Sequence, residues 1–408
     1  MASYFSMKKF QIPEQFKSSF TGKVKQWRKQ NDSRKKDFAP SVIPIGERLW
    51  IFPRHMGFCY GVENAIEIAF KAVEENQGKR VFLLGEMIHN PAVNQDLLSM
   101  GVQFIMDTAG NRLMDWNELN SEDVVITPAF GTTIEIEQQL REKGVDVKRY
   151  NTTCPFVEKV WKRSGEIGQD GYTIIIHGKY KHEETRATFS HSNQYSKSIV
   201  IRNLEEAEML AKYIDGSLDI EQFYVDFKGK YSEGFDPSKD LKKIGVVNQT
   251  TMLATETEEI SKYLKGIVIK AHGDASFADT RDTLCYATND NQDAAMELLK
   301  TDADVAFVIG GHNSSNTYQL AIILSEKIKT FFIESENDLD DLGVNYLNLK
   351  TMSQERCSWN DAWKNWKEIV VASGASCPDT LVDQVVEKLC QITNTELNQE
   401  KVLAEWMK

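Results

Sequence analysis

Cysteine is scarce in this chain. There are six in 408 residues, and none stands in a C-x-x-C pair. A secreted disulfide framework, a zinc ribbon and a thioredoxin-type redox pair are therefore excluded. Apolar runs of the ~18–20 residues that span a bilayer are also missing, and the mean hydropathy is −0.42, so no membrane association is expected. Positive charge is in deficit: 48 basic against 60 acidic residues give −12. A polyanion such as duplex DNA is a poor partner for that surface, so no nucleic acid is expected. The start, Met1-Ala2-Ser3-Tyr4-Phe5, lacks the apolar stretch of a secretory leader. The expected location is cytoplasmic, with a plastid as the minor alternative.

What is present is an ordinary globular balance, 41% hydrophobic and 26% charged, on a chain too long for a single core. The first 40 residues differ from the rest. They hold ten basic and three acidic residues, a net of +7 that leaves −19 for the remainder. The three acidic residues and the few arginines argue against a transit peptide. The expectation is an extension that packs across the body or frays. From about residue 48, short apolar runs alternate with amphipathic stretches. Strands are expected at Leu49–Phe52, Arg80–Leu84, Val124–Thr127, Thr173–His177, Ile244–Val247, Val305–Ile309 and Ile369–Ala372. Several are β-branched runs without strict alternation, as in strands buried on both faces of a parallel sheet. Helices are expected at Val62–Glu75, Phe156–Ile167, Leu253–Lys265, Asp290–Leu299, Tyr318–Ser325 and Thr380–Leu389. Such alternation predicts α/β architecture, with ligands where strands end and helices begin. The polar, turn-rich stretch 217–240 is expected to be an inserted hairpin or loop.

Three cysteines each sit just before an expected helix: Cys59 in Gly57-Phe58-Cys59-Tyr60-Gly61, Cys154 in Thr153-Cys154-Pro155, and Cys285 in Leu284-Cys285-Tyr286-Ala287. The gaps of 95 and 131 residues are each about one α/β unit. A helix start favours the thiolate, the metal-binding form. Three thiolates suit an iron–sulfur cluster with one iron left open to a substrate oxygen. Three unrelated buried cysteines would give the same spacing.

The residues around them are more specific. The blocks are Gly57-Phe58-Cys59-Tyr60-Gly61-Val62, Glu86-Met87-Ile88-His89-Asn90-Pro91, Pro128-Ala129-Phe130-Gly131 and Thr153-Cys154-Pro155. There follow His177-Gly178-Lys179 with His182-Glu183-Glu184-Thr185, Asn248-Gln249-Thr250-Thr251, Cys285-Tyr286-Ala287-Thr288, Asn313-Ser314-Ser315-Asn316 and Ser373-Gly374-Ala375-Ser376. In this order, over residues 50 to 390, the chain resembles the 4-hydroxy-3-methylbut-2-enyl diphosphate reductase family, and most closely its longer plant and cyanobacterial branch.

The resemblance implies three pseudo-threefold-related α/β lobes with mainly parallel sheets around a central [4Fe–4S] cluster. The expected division is 1–47 as N-terminal extension, 48–153, 154–284 and 285–390 as lobes, and 391–408 as C-terminal extension. It implies Cys59, Cys154 and Cys285 as cluster ligands, leaving one iron open. It also implies a two-electron, two-proton removal of the substrate hydroxyl to give isopentenyl and dimethylallyl diphosphates, the last step of the methylerythritol phosphate route. A ferredoxin- or flavodoxin-type electron donor, and a monomer or homodimer, are expected with it.

Glu184 is the expected proton donor, while Glu183 reads as a surface carboxylate. Thr250 and Thr251 would orient the substrate hydroxyl or relay a proton, and would also serve as helix caps. Ser314, Ser315, Asn316 and Ser376 stand at expected helix starts, the preferred anion site. With His89 and His182 they are the expected diphosphate donors. His55, His191, His272 and His312 carry no such warrant, and His177 is left open. Other branches have a histidine where this chain has Phe130, so Thr132 and Thr133 are candidates to replace its contact. Cys377 is expected to be a small residue behind the phosphate site, Cys390 a core residue and Cys357 incidental. Two other readings compete: a non-redox iron–sulfur hydro-lyase or condensing enzyme, and an iron–sulfur sensor, which would need a DNA-binding motif or a basic face.

Overall fold

The computed structural model describes residues 10–33, 36–278, 283–360 and 362–408. Two compact units are present. The first is formed by residues 10–70, 88–95 and 287–408, the second by residues 71–87 and 96–286.

The first unit is built on one five-stranded sheet, in the order Ser41–Ile45, Arg48–Phe52, Glu368–Ser373, Val305–Ile309, Thr330–Ile333. Only the first strand is antiparallel to its neighbour. It buries alternate residues and keeps Pro44 exposed, which an edge position tolerates. Val305–Ile309 is buried throughout, as its unbroken apolar run predicts. Phe307 packs among Phe331, Trp359 and Trp366; fully burying such a ring is worth ~1.5–3 kcal/mol. The helix Asp379–Ile392 lays Val382, Val385, Val386 and Leu389 onto this core. An antiparallel three-stranded sheet, Leu339–Asp340, Gly343–Leu347 and Gln354–Ser358, adds to the same unit and carries Cys357.

The N-terminal extension is integral to this core. The helix Thr21–Asn31 begins after Phe20, which has no side chain able to cap it. Asp383, on Asp379–Ile392, does so instead: it accepts the Phe20 N–H (3.1 Å), the Thr21 N–H (2.9 Å) and the Ser18 hydroxyl (2.6 Å). A carboxylate is well placed among the free N–H groups of a helix start. Phe20 and Val24 are buried beneath. The C-terminal helix Gln399–Trp406 packs Trp406 against Trp27, the rings tilted at 52° with centroids 4.6 Å apart.

The second unit holds two parallel sheets. One runs Gln103–Phe104, Val81–Leu83, Val124–Ile126; the other runs Ser198–Ile201, Thr173–His177, Ile244–Asn248, Phe277–Ala278. Helices Pro155–Gln169, Glu183–Asn193, Leu204–Ile214 and Ala254–His272 accompany the second. α/β architecture with mainly parallel sheets is therefore what the chain adopts.

Two expectations are corrected. Arg48–Phe52, assigned above to the lobe 48–153, pairs with Glu368–Ser373 and so belongs to the sheet of residues 305–373. Parallel strands pair through crossovers, so nearness in sequence does not name the partner. The stretch 217–240 is not a hairpin or polar loop. It forms two short helices, Ile220–Asp226 and Pro237–Asp240. Phe223, Phe227 and Phe235 are buried there, with Phe223 stacked on Phe235 at 5.3 Å. No helix among the described residues is long and apolar enough to cross a membrane.

Candidate active site

The singled-out residues lie past the C-terminal ends of parallel strands. Phe130 follows Val124–Ile126; Glu184 follows Thr173–His177; Thr250 follows Ile244–Asn248; Ser314 follows Val305–Ile309; Ser376 follows Glu368–Ser373. That is where an open α/β sheet places its ligands.

In the second unit, these residues are tied together from Cys154 to Cys285. Cys154 precedes Pro155 at the start of Pro155–Gln169, and its N–H donates to Ala129 O at 2.9 Å. The next residue, Phe130, meets the His182 ring edge-on at 5.4 Å. His182 caps Glu183–Asn193, its Nδ1 accepting the Glu184 N–H at 3.2 Å. In the neutral ring the proton is therefore on Nε2. Glu184, 1% exposed, accepts from the Thr250 N–H and, at 3.0 Å, from Thr250 Oγ1. The carbonyl of Thr250 accepts the Cys285 N–H at 3.4 Å. Tyr286, next to Cys285, packs against Phe156 at 4.9 Å, two residues from Cys154. Backbone and ring contacts thus bring Cys154, His182, Glu184, Thr250 and Cys285 into one cluster.

Thr251 is turned elsewhere, its hydroxyl accepting from Gln249 Nε2 at 2.8 Å. Gln249 is a hub that the sequence reading passed over. Its Oε1 accepts from the Lys179 N–H and the Thr185 hydroxyl, each at 3.1 Å. A Cβ on Gly178 would stand 2.6 Å from that Thr185 hydroxyl, so only glycine lets the His-Gly-Lys turn approach. Asn248 accepts from Thr283 and so ties down the stem before Cys285. Thr133 spends its hydroxyl capping Ile134–Glu142 and so already serves the scaffold, while the backbone carbonyl of Thr132 meets His191.

His177, left open above, is a core residue. It is fully buried, its Nδ1 is 3.1 Å from Thr257 Oγ1, and burial pushes its pKa down to about 4. His191 stacks on Trp161. In the first unit, His55 lies 3.9 Å from Asp290, and His312 meets Phe332 O and Gln354. His272 is an exposed residue at a helix end.

The first unit holds its own polar cluster. Cys59 donates its N–H to Ala375 O at 3.2 Å and precedes the helix Tyr60–Glu75. Burial pushes its thiol pKa up, opposed by the N–H groups of Val62 and Gly61. Desolvation therefore outweighs the helix start, contrary to the expectation of a lowered thiol. Ser314 caps Ser315–Ser325. Ser376 Oγ donates to His89 O at 3.2 Å and lies 3.3 Å from Ser314 Oγ. Asn316 Oδ1 accepts the Ala375 N–H at 2.9 Å and Asn291 Nδ2 at 3.3 Å; Asn291 is another contributor that no block announced. Close approach is again bought with glycine: a Cβ on Gly311 would stand 2.6 Å from His89 O. Two buried groups here, Ser315 Oγ and Asn316 Nδ2, have no hydrogen-bond partner among the described residues. Leaving such a group unmet costs ~1–3 kcal/mol. At the start of an eleven-residue helix, both suit an anion.

The donor set fits an iron–sulfur group. Soft sulfur atoms stand at element starts, and Cys59 has backbone N–H groups turned to its sulfur. Cys377 is fully buried with its thiol raised, and burial pushes Cys390 up to about 12. Both are protonated core residues. Cys357 is half-buried in the antiparallel sheet.

Residues 51–390 match the family model described as LytB protein. A 4-hydroxy-3-methylbut-2-enyl diphosphate reductase of Synechococcus sp. (strain CC9605) is 40% identical over 342 residues, covering 83% of this chain and 84% of the relative. The reductase of the same name from Picosynechococcus sp. (strain ATCC 27264 / PCC 7002 / PR-6) is 42% identical over 340 residues, 82% of each. Among solved structures, (E)-4-hydroxy-3-methyl-but-2-enyl diphosphate reductase aligns with TM-score 0.52 and 26% identity, over 84% of this chain and 98% of that one. The Plasmodium falciparum E-1-hydroxy-2-methyl-but-2-enyl-4-diphosphate reductase shares the fold at TM-score 0.62 and 20% identity, over 84% and 88%.

Proposed function

The chain belongs to the LytB family, and on that footing we propose that it reduces 4-hydroxy-3-methylbut-2-enyl diphosphate to isopentenyl and dimethylallyl diphosphates. The reading places a [4Fe–4S] group on Cys59, Cys154 and Cys285. When bound, such a group would relay to the substrate the two electrons provided by the donor and would offer an open iron as a Lewis acid for the substrate oxygen.

The protein's own part is proton delivery and orientation. Hydroxide leaves poorly, so a proton must reach the departing oxygen. Glu184 is the acid in this reading, since Thr250 holds both its oxygens in a dry setting where one position is enforced. Thr250 Oγ1 is the relay between that carboxyl and the substrate hydroxyl. Thr251, its hydroxyl held by Gln249, is assigned to fixing the turn that carries Thr250. The Nε2–H of His182, fixed by the Nδ1 cap, is a donor to the substrate. The diphosphate is assigned to Ser314, Ser315, Asn316, Ser376 and His89. Electrons come from a small ferredoxin- or flavodoxin-type protein to a monomer or homodimer in the cytoplasm.

The observation that carries the reading is the chain of contacts joining Cys154, His182, Glu184, Thr250 and Cys285 within one unit. The test is anaerobic purification with iron and sulfide analysis, then turnover of the allylic diphosphate with a reduced donor. About four irons per chain and both products are expected. An intact iron–sulfur centre that consumes no allylic diphosphate, with a competent donor present, would favour the hydro-lyase or sensor readings instead.

A further inference from the structure

Gly57 stands two residues before Cys59, with φ +74°. A Cβ built there would lie 1.9 Å from Asp379 Oδ1 and 2.8 Å from Lys25 Nζ. That ammonium donates to both oxygens of Asp379, at 2.9 and 2.8 Å. The pair is mostly withdrawn from solvent, the side chains being 31% and 17% exposed. Opposite, the turn is pinned by two bonds: Gly57 N–H to Ser373 Oγ at 3.1 Å and Cys59 N–H to Ala375 O at 3.2 Å.

Both partners are held by the scaffold. Asp379 is in the first turn of its helix, where negative charge is favoured. Lys25 comes from Thr21–Asn31, whose start is capped by Asp383 of that same helix. The pair's field reaches further than Gly57. Lys25 and Asp379 act with opposite sign on the carboxyl of Glu63, one turn beyond Cys59, and on the thiol of Cys377; the charge that acts on Cys59 itself is that of Glu63, so the pair reaches the cysteine through the turn it seats and through this carboxyl. A mere filler of this space could be apolar, and replacing a buried pair by apolar groups is often neutral for stability. Here two opposite charges are fixed against the turn that presents a cysteine.

We propose that the Lys25–Asp379 pair is a positioning element for Cys59, seating the Gly57–Cys59 turn and setting the electrostatic potential of the redox group held there. The inference rests on the preceding reading, in which Cys59 is a cluster ligand. It gives the N-terminal extension a role in the site. Reduction adds negative charge, which a nearby cation favours and a nearby anion opposes.

The experiment is a charge cycle on the purified holoenzyme, with reduction potential and iron content as readouts. K25M should lower the potential, D379N should raise it, and K25M/D379N should return it toward wild type, all with iron retained. K25R should keep the wild-type value. G57A should lose most of its iron, because its Cβ meets the pair. Potentials that move in the same direction in both single variants, or do not move while iron is retained, overturn the inference. If K25M does not fold, K25Q replaces it in the cycle. Wild-type protein without iron would instead overturn the cluster reading itself.

Discussion

The two polar clusters are finished to different degrees. Around Glu184 each named group already has a protein partner: Thr250 satisfies the carboxylate, Gln249 satisfies Thr251, and Glu184 satisfies His182. Around Ser315 and Asn316, two buried donors have none among the described residues. Polar groups that meet each other are pre-organised and need no ligand to take up position. Orphaned donors wait for one, and their cost is recovered only on binding. On the proposed reading, the difference separates a cluster that would move a proton from one that would hold an anion.

The largest effect that would break the comparison is loss of the metal. Cys59→Ser, Cys154→Ser and Cys285→Ser should each abolish the brown absorbance and most bound iron, while Cys357→Ser and Cys390→Ser should not. Iron analysis beside circular dichroism checks that fold survives where iron is lost. Retained iron in any of the first three would remove that cysteine from the ligand set.

Next in size is Glu184→Gln. It keeps the shape and a hydrogen-bonding oxygen, but cannot supply a proton as the acid does. Iron content and substrate affinity should be unchanged and kcat should fall ~10²–10⁴-fold. A fall in affinity with kcat intact would move Glu184 to the binding side of the comparison.

Ser315→Ala and Asn316→Ala sharpen it from the other side. Each should raise KM by roughly 5- to 150-fold, the equivalent of ~1–3 kcal/mol, with kcat nearly kept. In ligand-free protein, Ser315→Ala should leave the melting temperature unchanged or slightly higher, because it removes a buried hydroxyl that nothing satisfies. Thr250→Val should lower it, because it strips a partner from buried Glu184. If both variants melt alike, the two clusters do not differ in the way claimed.

The blocks around each cysteine, around Glu184 and around the serines stand out in the sequence because each is a short run of adjacent residues with its own chemistry. Gln249 and Asn248 stood inside such a run and were still missed. Their partners Thr185 and Thr283 are 64 and 35 positions away, and no local pattern encodes that. Strands were read where the β-branched run was long; Ser41–Ile45, broken by Pro44, was not. In 217–240 the polar residues hid a signal: Phe223, Phe227, Tyr231 and Phe235 recur every four positions, and three of the four are buried. Phe20's cap could not be read at all, since Asp383 is 363 residues further on.

The smallest predicted effect concerns a residue outside both clusters. His177 is buried, and desolvation pushes its pKa down to about 4 from the ordinary imidazole value of 6.5. The neutral ring is the folded form. Below pH ~6.5 the unfolded chain takes up a proton that the fold refuses, so stability falls as pH drops and levels off near 4. The total is on the order of 3 kcal/mol. Chemical denaturation of wild type and His177→Gln between pH 7.5 and 4.5 isolates this share as the difference between the two slopes. The variant's slope should be the shallower, while its iron content and its kcat should match wild type. An equal slope would mean that His177 does not resist protonation, and a lost centre would mean that it belongs to the Glu184 cluster after all.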